Sequence, residues 1–184
     1  CIRDRAKVAD MIITTGGVSV GKKDIMHESL RLMGAERIFW RVKMKPGMPT
    51  LFSAYKKTSD ITATDHRASE REIPIISLSG NPFGVAVSIE LLIRPALEKM
   101  MQDPSIGLKE VNGIMADNFE KGIKGRRFIR AYLENGKFHL PNGLHSNGVL
   151  SSMAGCNCLI DTKTMENQES RSCLLYTSPS PRDI

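Results

Sequence analysis

Residues 12–24, IITTGGVSVGKKD, pass from a short apolar run into a glycine-rich turn and reopen as an amphipathic segment. The β-branched character of Asp10 to Thr15 reads as a buried strand, and Gly16, Gly17 and Gly21 let the backbone turn tightly with no Cβ in a ligand's way. Strand, turn and helix in that order present free backbone N–H groups above a sheet edge. Together with the Ser19 hydroxyl and the start of the next helix they make an anion site, because a helix N-terminus carries unpaired donors and partial positive charge. A turn that needs glycine only for its dihedral angles has the same sequence, and the spacing is neither the Walker pattern nor the dinucleotide fingerprint.

Working outward, Asp24 is placed to cap a helix reaching Met33, with Ile25, Ser29, Leu32 and Met33 on its mostly apolar face and Gly34 closing it. Residues 36–45, ERIFWRVKMK, alternate as a strand: Ile38, Trp40, Val42 and Met44 take one face, Phe39, Arg41, Lys43 and Lys45 the other. Three cations therefore share a strand face, which is ordinarily a solvated one; its convergence on a rigid turn, Pro46 to Pro49, raises the alternative that the fixed backbone holds Lys45 against an anion. Thr50 to Tyr55 reads as another strand, and 56–72 as a polar surface excursion.

Ile73 to Leu78 is a third buried strand, followed by Ser79, Gly80, Asn81, Pro82 and a helix over 83–101 that Pro95 should kink. The repeated strand–turn–helix predicts an α/β sheet with both turns at the carboxyl ends of their strands, where open sheets bind ligands. Past Pro104 the character changes. Short alternating segments at 128–133 and 137–140, with Asn-Gly turns at Asn135 and Asn142, predict a separate β-domain. The glycines and serines of 142–153 fit hairpin chemistry or a ligand edge, with hairpin chemistry the favoured reading, and Cys156 and Cys158, either side of Asn157, point their thiols to one side, most simply the core.

A chain of 184 residues that is 41% hydrophobic and 25% charged can bury a real core in one large or two small domains, which excludes disorder throughout. Its apolar runs fall far short of the roughly 20 residues that span a bilayer, so nothing points to membrane or export. Four cysteines and four histidines show no ligand spacing, against zinc and in favour of a reducing compartment. The net charge of +6 is dispersed and stacking aromatics are few, which argues against nucleic acid. The chain reads as a fragment: it lacks an initiator methionine, its first helix, 2–9, is short, and 172–184, SCLLYTSPSPRDI, reads as a foreign tail without strand or helical period.

Taken in order, ADMIITTGGVSVGKKD, FWRVKMKPGMPTLF, ISLSGNPFGVAVSIELLIRPALEKM and the weaker NGLHSNGVLSSMAGCNCLI resemble the molybdopterin molybdenumtransferase family, called MoeA in bacteria and the E domain of gephyrin in animals. The resemblance covers about residues 4–165. It implies an open doubly wound α/β molybdopterin-binding domain over 1–106 and a small β-barrel-like C-terminal domain over 107–170, and leaves 171–184 as the non-native tail already read from its sequence. It further implies a cytoplasmic homodimer that binds adenylated molybdopterin, cleaves the adenylate with Mg2+ and molybdate, and inserts molybdenum, with a molybdopterin adenylyltransferase as a partner.

By position, the resemblance assigns phosphate binding to Gly16, Gly17, Ser19, Gly21 and Arg41, and further substrate contacts to Pro46, Gly47, Pro49, Gly80, Asn81 and Pro82. Asp24 and Lys45 take catalytic roles, Asp24 also as the magnesium ligand. Met48, Ser79 and Gly84 depart from the family pattern, which commonly has lysine, proline and serine there. The fragment alone is expected to have little turnover. An adenylyltransferase-like enzyme and a gephyrin-like scaffold are the competing functions; the β-segment beyond 107 argues against the first, and nothing in the sequence marks a receptor groove for the second.

Overall fold

The computed structural model describes residues 2–21, 24–57, 71–117, 126–141 and 150–162, with short strand segments at 165–166, 169–170 and 173–175. The surface excursion expected after Lys57 and the turn expected at Asn142 lie outside the described residues. The fold is mixed α/β, and the chain separates into two compact units, one of residues 1–42 and 48–80, the other of 43–47 and 81–184.

In the first unit, α1 (Ile2–Ala6) precedes β1 (Ile12–Thr15), α2 (Met26–Met33), β2 (Glu36–Trp40), β3 (Leu51–Lys57) and β4 (Arg71–Leu78). The strands order as β1-β4-β3-β2. Only β1 and β4 are parallel; β3 pairs antiparallel with both β4 and β2. A short connection between β2 and β3 permits only the antiparallel pairing, whereas the parallel pair is joined through intervening elements. Ile73, Ile75, Ile76 and Leu78 are all buried, so β4 is covered on both faces, which is why its sequence is a continuous apolar run instead of an alternating one. Around it pack Ala6, Ile12, Val18, Leu30, Met33 and Leu51.

Two expectations fail here for physical reasons. Of the face expected on α2, Met33 is buried, but its partners at helical period are the buried Leu30 and the partly buried Met26, while Ile25 and Leu32 are 63% and 65% exposed. The alternation of 36–45 also breaks. The β2–β3 register shifts between Arg37 and Phe39, leaving Ile38 and Phe39 both exposed, and the strand ends at Trp40 because Arg41 turns into positive φ, 73°. Gly34 does close α2, with φ of 87° and the Ala35 N–H reaching the Leu30 carbonyl at 3.0 Å.

The second unit begins its main run with one helical rod in three parts: α3 (Pro82–Ser88), a π-helical turn over Ile89–Ile93, and α4 (Arg94–Met101). Pro95 provides no backbone donor, and the widened turn just before it absorbs that loss without ending the rod. Beyond lie β5 (Lys109–Val111), β6 (Ile114–Met115), β7 (Phe128–Glu134), β8 (Lys137–His139), β9 (Cys158–Asp161), β10 (Met165–Glu166), β11 (Glu169–Ser170) and β12 (Cys173–Leu175). Six of them form a sheet in the order β5-β12-β9-β7-β8-β6 over Ile129, Ala131, Phe138, Cys158 and Ile160.

The β7–β8 hairpin turns at Asn135 and Gly136, both at positive φ, as the Asn-Gly pair predicts. Cys173–Leu175, read from the sequence as structureless, is instead a strand between β5 and β9; three residues are too few for a period of two to show. No helix among the described residues is long and apolar enough to cross a membrane.

Candidate functional site

In the first unit, Thr14 stands opposite Ser77 and Thr15 opposite Leu78, so β1 and β4 finish at the same edge of the sheet. The chain leaves β1 through Gly16 at φ 83° and Gly17 at φ 69°, a left-handed pair that side chains disfavour. The Gly16 N–H donates to the Leu78 carbonyl at 2.9 Å, and a Cβ built on Gly80 would stand 3.5 Å from the Gly16 Cα. The two predicted turns therefore meet at backbone distance through their glycines. Among the described residues, no atom outside the adjoining ones lies within 4 Å of where a Gly16 Cβ would project. The Thr14 and Ser77 hydroxyls at this edge are buried with no hydrogen-bond partner among the described residues.

The first turn is anchored at one point and open at the next. Val18 is buried, whereas Ser19, Val20 and Gly21 are exposed. Among the described residues the backbone N–H groups of Gly17, Ser19 and Val20 are given no acceptor, while the Gly17 carbonyl receives the Met26 N–H at 3.0 Å. A residue the sequence reading placed only in the core does the positioning. The Trp40 indole N–H donates to the Val18 carbonyl at 2.9 Å, the His27 ring meets Trp40 edge-on at 4.7 Å, and the Arg41 guanidinium lies 4.2 Å over the same indole. Trp40 thus ties the turn to a cation through one rigid ring, a cation–π contact worth about 0.5–1 kcal/mol at an exposed site. The signal was the Trp-Arg pair at the strand's end.

Asp24 does not cap α2. That helix starts behind Ile25 with no side-chain cap, and the Asp24 carboxylate instead accepts the Gly21 N–H at 2.5 Å, closing the glycine turn on itself. Asp24 also lines a groove of ≈ 400 Å³ with His27, Glu28, Arg31, Arg37 and Ser53, whose lining includes neither Gly16 nor Gly80. Within it Arg31 grips Glu28 with two hydrogen bonds, which holds that carboxyl below its usual range. Among the described residues no three His, Cys, Asp or Glu side chains gather as a metal site. A single carboxylate suits magnesium only where phosphate and water supply the remaining oxygens.

The three cations do not share a strand face, because β2 has already ended. Arg41 belongs to the first unit; Lys43 and Lys45 belong to the second, where both are exposed. There Lys45 is bonded through its backbone, its N–H to the Arg126 carbonyl and its own carbonyl to the Phe128 N–H. Pro46 and Gly47 are buried, and Gly47 has a packing role: at φ 96°, a Cβ would stand 2.6 Å from Ser88 Oγ and 2.8 Å from Met44 Cε. Asn81 is the N-cap of α3, its Oδ1 accepting the Gly84 N–H at 3.0 Å, with Pro82 in the first turn. Pro49 is half-buried and Met48 exposed.

Residues 2–99 match the family described as "Probable molybdopterin binding domain". Among curated proteins, the chain is 28% identical over 162 residues to a molybdopterin molybdenumtransferase of Staphylococcus aureus, a match covering 86% of this chain and 35% of that protein. A Bacillus subtilis protein of the same name is 27% identical over 162 residues, covering 86% and 34%. The chain thus spans about a third of the length of the curated relatives it matches. Among solved structures, the molybdopterin biosynthesis moeA protein of Pyrococcus horikoshii OT3 aligns at a TM-score of 0.63 and 21% identity, covering 95% of this chain and 37% of that one. A molybdenum cofactor biosynthesis protein of Pyrococcus furiosus aligns at 0.60 and 16%, covering 95% and 51%. At these identities the structural likeness concerns the fold.

Proposed function

The chain belongs to the molybdopterin binding domain family, and from that premise we propose that it is the pterin-binding portion of an enzyme that inserts molybdenum into adenylated molybdopterin. The observation that carries the proposal is the glycine edge of the first unit. Gly16 and Gly80 meet at backbone distance, N–H groups at Gly17, Ser19 and Val20 have no acceptor among the described residues, and Trp40 holds Arg41 beside the turn. Backbone donors without a Cβ in front of them suit a phosphate or pyrophosphate, and a guanidinium adds charge and hydrogen bonds.

In this reading Gly16, Gly17, Ser19 and Gly21 hold the phosphate, with Arg41 as counter-charge. Gly80 keeps the second turn low enough for the ligand to approach. Pro46, Gly47, Pro49, Asn81 and Pro82 fix the backbone of the remaining substrate-contacting segments, and Lys45 offers a cation to the phosphate or to molybdate. Asp24 positions the attacking water and, with ligand phosphates, holds Mg2+, which supplies charge neutralisation at the phosphate when bound. Molybdate and adenylated molybdopterin are the substrates.

For the intact protein we propose a doubly wound domain ending near residue 106, followed by a barrel-like β-domain from residue 107. We further propose a cytoplasmic homodimer that receives its substrate from a molybdopterin adenylyltransferase. The 184-residue chain by itself would then have little turnover.

The test supplies the full-length parent with molybdate and adenylated molybdopterin and measures cofactor formation alongside pterin binding by fluorescence. Formation of active cofactor supports the proposal, and absence of pterin binding overturns it.

A further inference from the structure

The groove lined by Asp24 lies wholly within the first unit. Its base is apolar, with Leu30 and Leu51 2% and 1% exposed. Its polar groups stand on two walls. Asp24, Glu28 and Arg31 come from α2 and the turn before it; Arg37 and Ser53 come from the β2–β3 pair, opposite one another in register and so on the same sheet face. Ser53 is itself 1% exposed, whereas Glu28 and Arg37 are exposed at the rim. A volume of ≈ 400 Å³ falls in the range of about 300–1,000 Å³ usual for small-molecule sites, and an apolar base with a few polar groups at its margins suits a flat heterocycle.

Position and chemistry narrow the occupant. The Asp24 carboxylate accepts the Gly21 N–H, so one end of the groove begins at the glycine turn. Leu51, opposite Ser77, marks that end as the carboxyl edge of the parallel pair, and Ser53, opposite Ile75, lies further along the sheet. A ligand with its phosphate on the turn therefore extends past Asp24 towards Ser53 and Arg37. Of the two halves of an adenylated pterin, the pterin ring carries adjacent donors, an exocyclic amino group and a ring N–H, beside a ring carbonyl. Adenine offers one amino group between ring acceptors. A carboxylate pairs with two adjacent donors and a guanidinium with a carbonyl oxygen, the pattern that Glu28 on one wall and Arg37 with Ser53 on the other supply. Arg31 orients the Glu28 carboxylate with hydrogen bonds of 2.6 and 2.8 Å, and each oxygen keeps a second lone pair.

We propose that this groove holds the pterin ring of the substrate, with Glu28 on the adjacent amino and N–H donors, Arg37 and Ser53 on the ring carbonyl, and the phosphate at the glycine turn. This assignment rests on the substrate proposed above and adds the residues that tell its pterin half from its adenosine half.

Binding to the full-length parent tests it. Fluorescence titration gives affinities for adenylated molybdopterin and for hydroxymethylpterin, which has no phosphate, and displacement gives that of AMP. Glu28→Gln and Arg37→Met, both at exposed positions, should each weaken the two pterins about ten-fold and leave AMP within about two-fold. Ser53→Ala should weaken the pterins by a smaller factor. Pterin affinities unchanged in all three variants overturn the proposal. So does a loss of AMP affinity, alone or equal to that of the pterins, because the groove then holds the adenosine half or acts only through the fold. A parent that binds no adenylated molybdopterin overturns the proposed function itself, and this assignment with it.

Discussion

The two strand–turn–helix segments look alike in sequence and are finished differently. After β4, Asn81 accepts the Gly84 N–H and Pro82 occupies the first turn, so α3 satisfies its own N-terminus. After β1, Asp24 turns back on Gly21, α2 starts without a side-chain cap, and the exposed turn is held from outside by the Trp40 indole. The same pattern thus gives one turn whose helix carries its own side-chain cap, and one exposed turn whose Gly17, Ser19 and Val20 N–H groups have no acceptor among the described residues. Under the proposed function the ligand chemistry belongs to the first turn, and Asn81 has a mainly structural part.

The largest effect expected of this contrast is at Trp40. Trp40→Ala removes a half-buried indole, its hydrogen bond to Val18 and its contacts with His27 and Arg41, and should cost about 2–3 kcal/mol in denaturant unfolding, below the fully buried range. Trp40→Phe keeps most of the packing and loses the N–H, isolating about 1 kcal/mol. A loss under about 0.5 kcal/mol for Trp40→Ala breaks the comparison, because the first turn would then hold its shape unaided.

Much of this was legible from residues 12–24 alone. Apolar β-branched residues before paired glycines specify a strand and a tight turn by local sterics, and Gly34, Asn135 and Gly136 declared their turns by the same logic. What was illegible depends on pairing partners distant in sequence. The register shift between Arg37 and Phe39 is a property of β2 against β3, so alternation over 36–45 overstated the strand and put three cations on one face. Asp24 was read as a cap because the residue type favours caps, yet its carboxylate had an equally local acceptor site at Gly21, and residue type cannot rank the two. The β12 strand needs β5 and β9 to exist at all.

Glycine substitutions sharpen the contrast next. At Gly17, φ of 69° and the Met26 Cγ 3.2 Å from the new Cβ should make Gly17→Ala cost about 1–2 kcal/mol. Gly80→Ala meets only the Gly16 Cα, at 3.5 Å, an ordinary contact, and should stay within about 0.5 kcal/mol. Thermal melts of the two variants should therefore separate clearly, and equal melts would mean that the first turn relaxes out of its left-handed conformation at little cost. In the full-length parent, Gly80→Ala should nonetheless weaken pterin binding, since its methyl enters the edge where the two turns meet.

The caps give the next effect and the smallest. Asn81→Ala should lose about 1 kcal/mol, and Asn81→Asp, which keeps the oxygen that accepts the Gly84 N–H, only a few tenths. Asp24→Asn also keeps an oxygen for the Gly21 N–H, and with no helix cap to lose it should change stability by less than about 0.5 kcal/mol. Its effect belongs to chemistry: in the full-length parent, adenylate cleavage should fall while pterin affinity holds. A carboxylate that only closes a turn would leave cleavage intact in Asp24→Asn, and the open turn would then bind substrate through its backbone without contributing a reactive group.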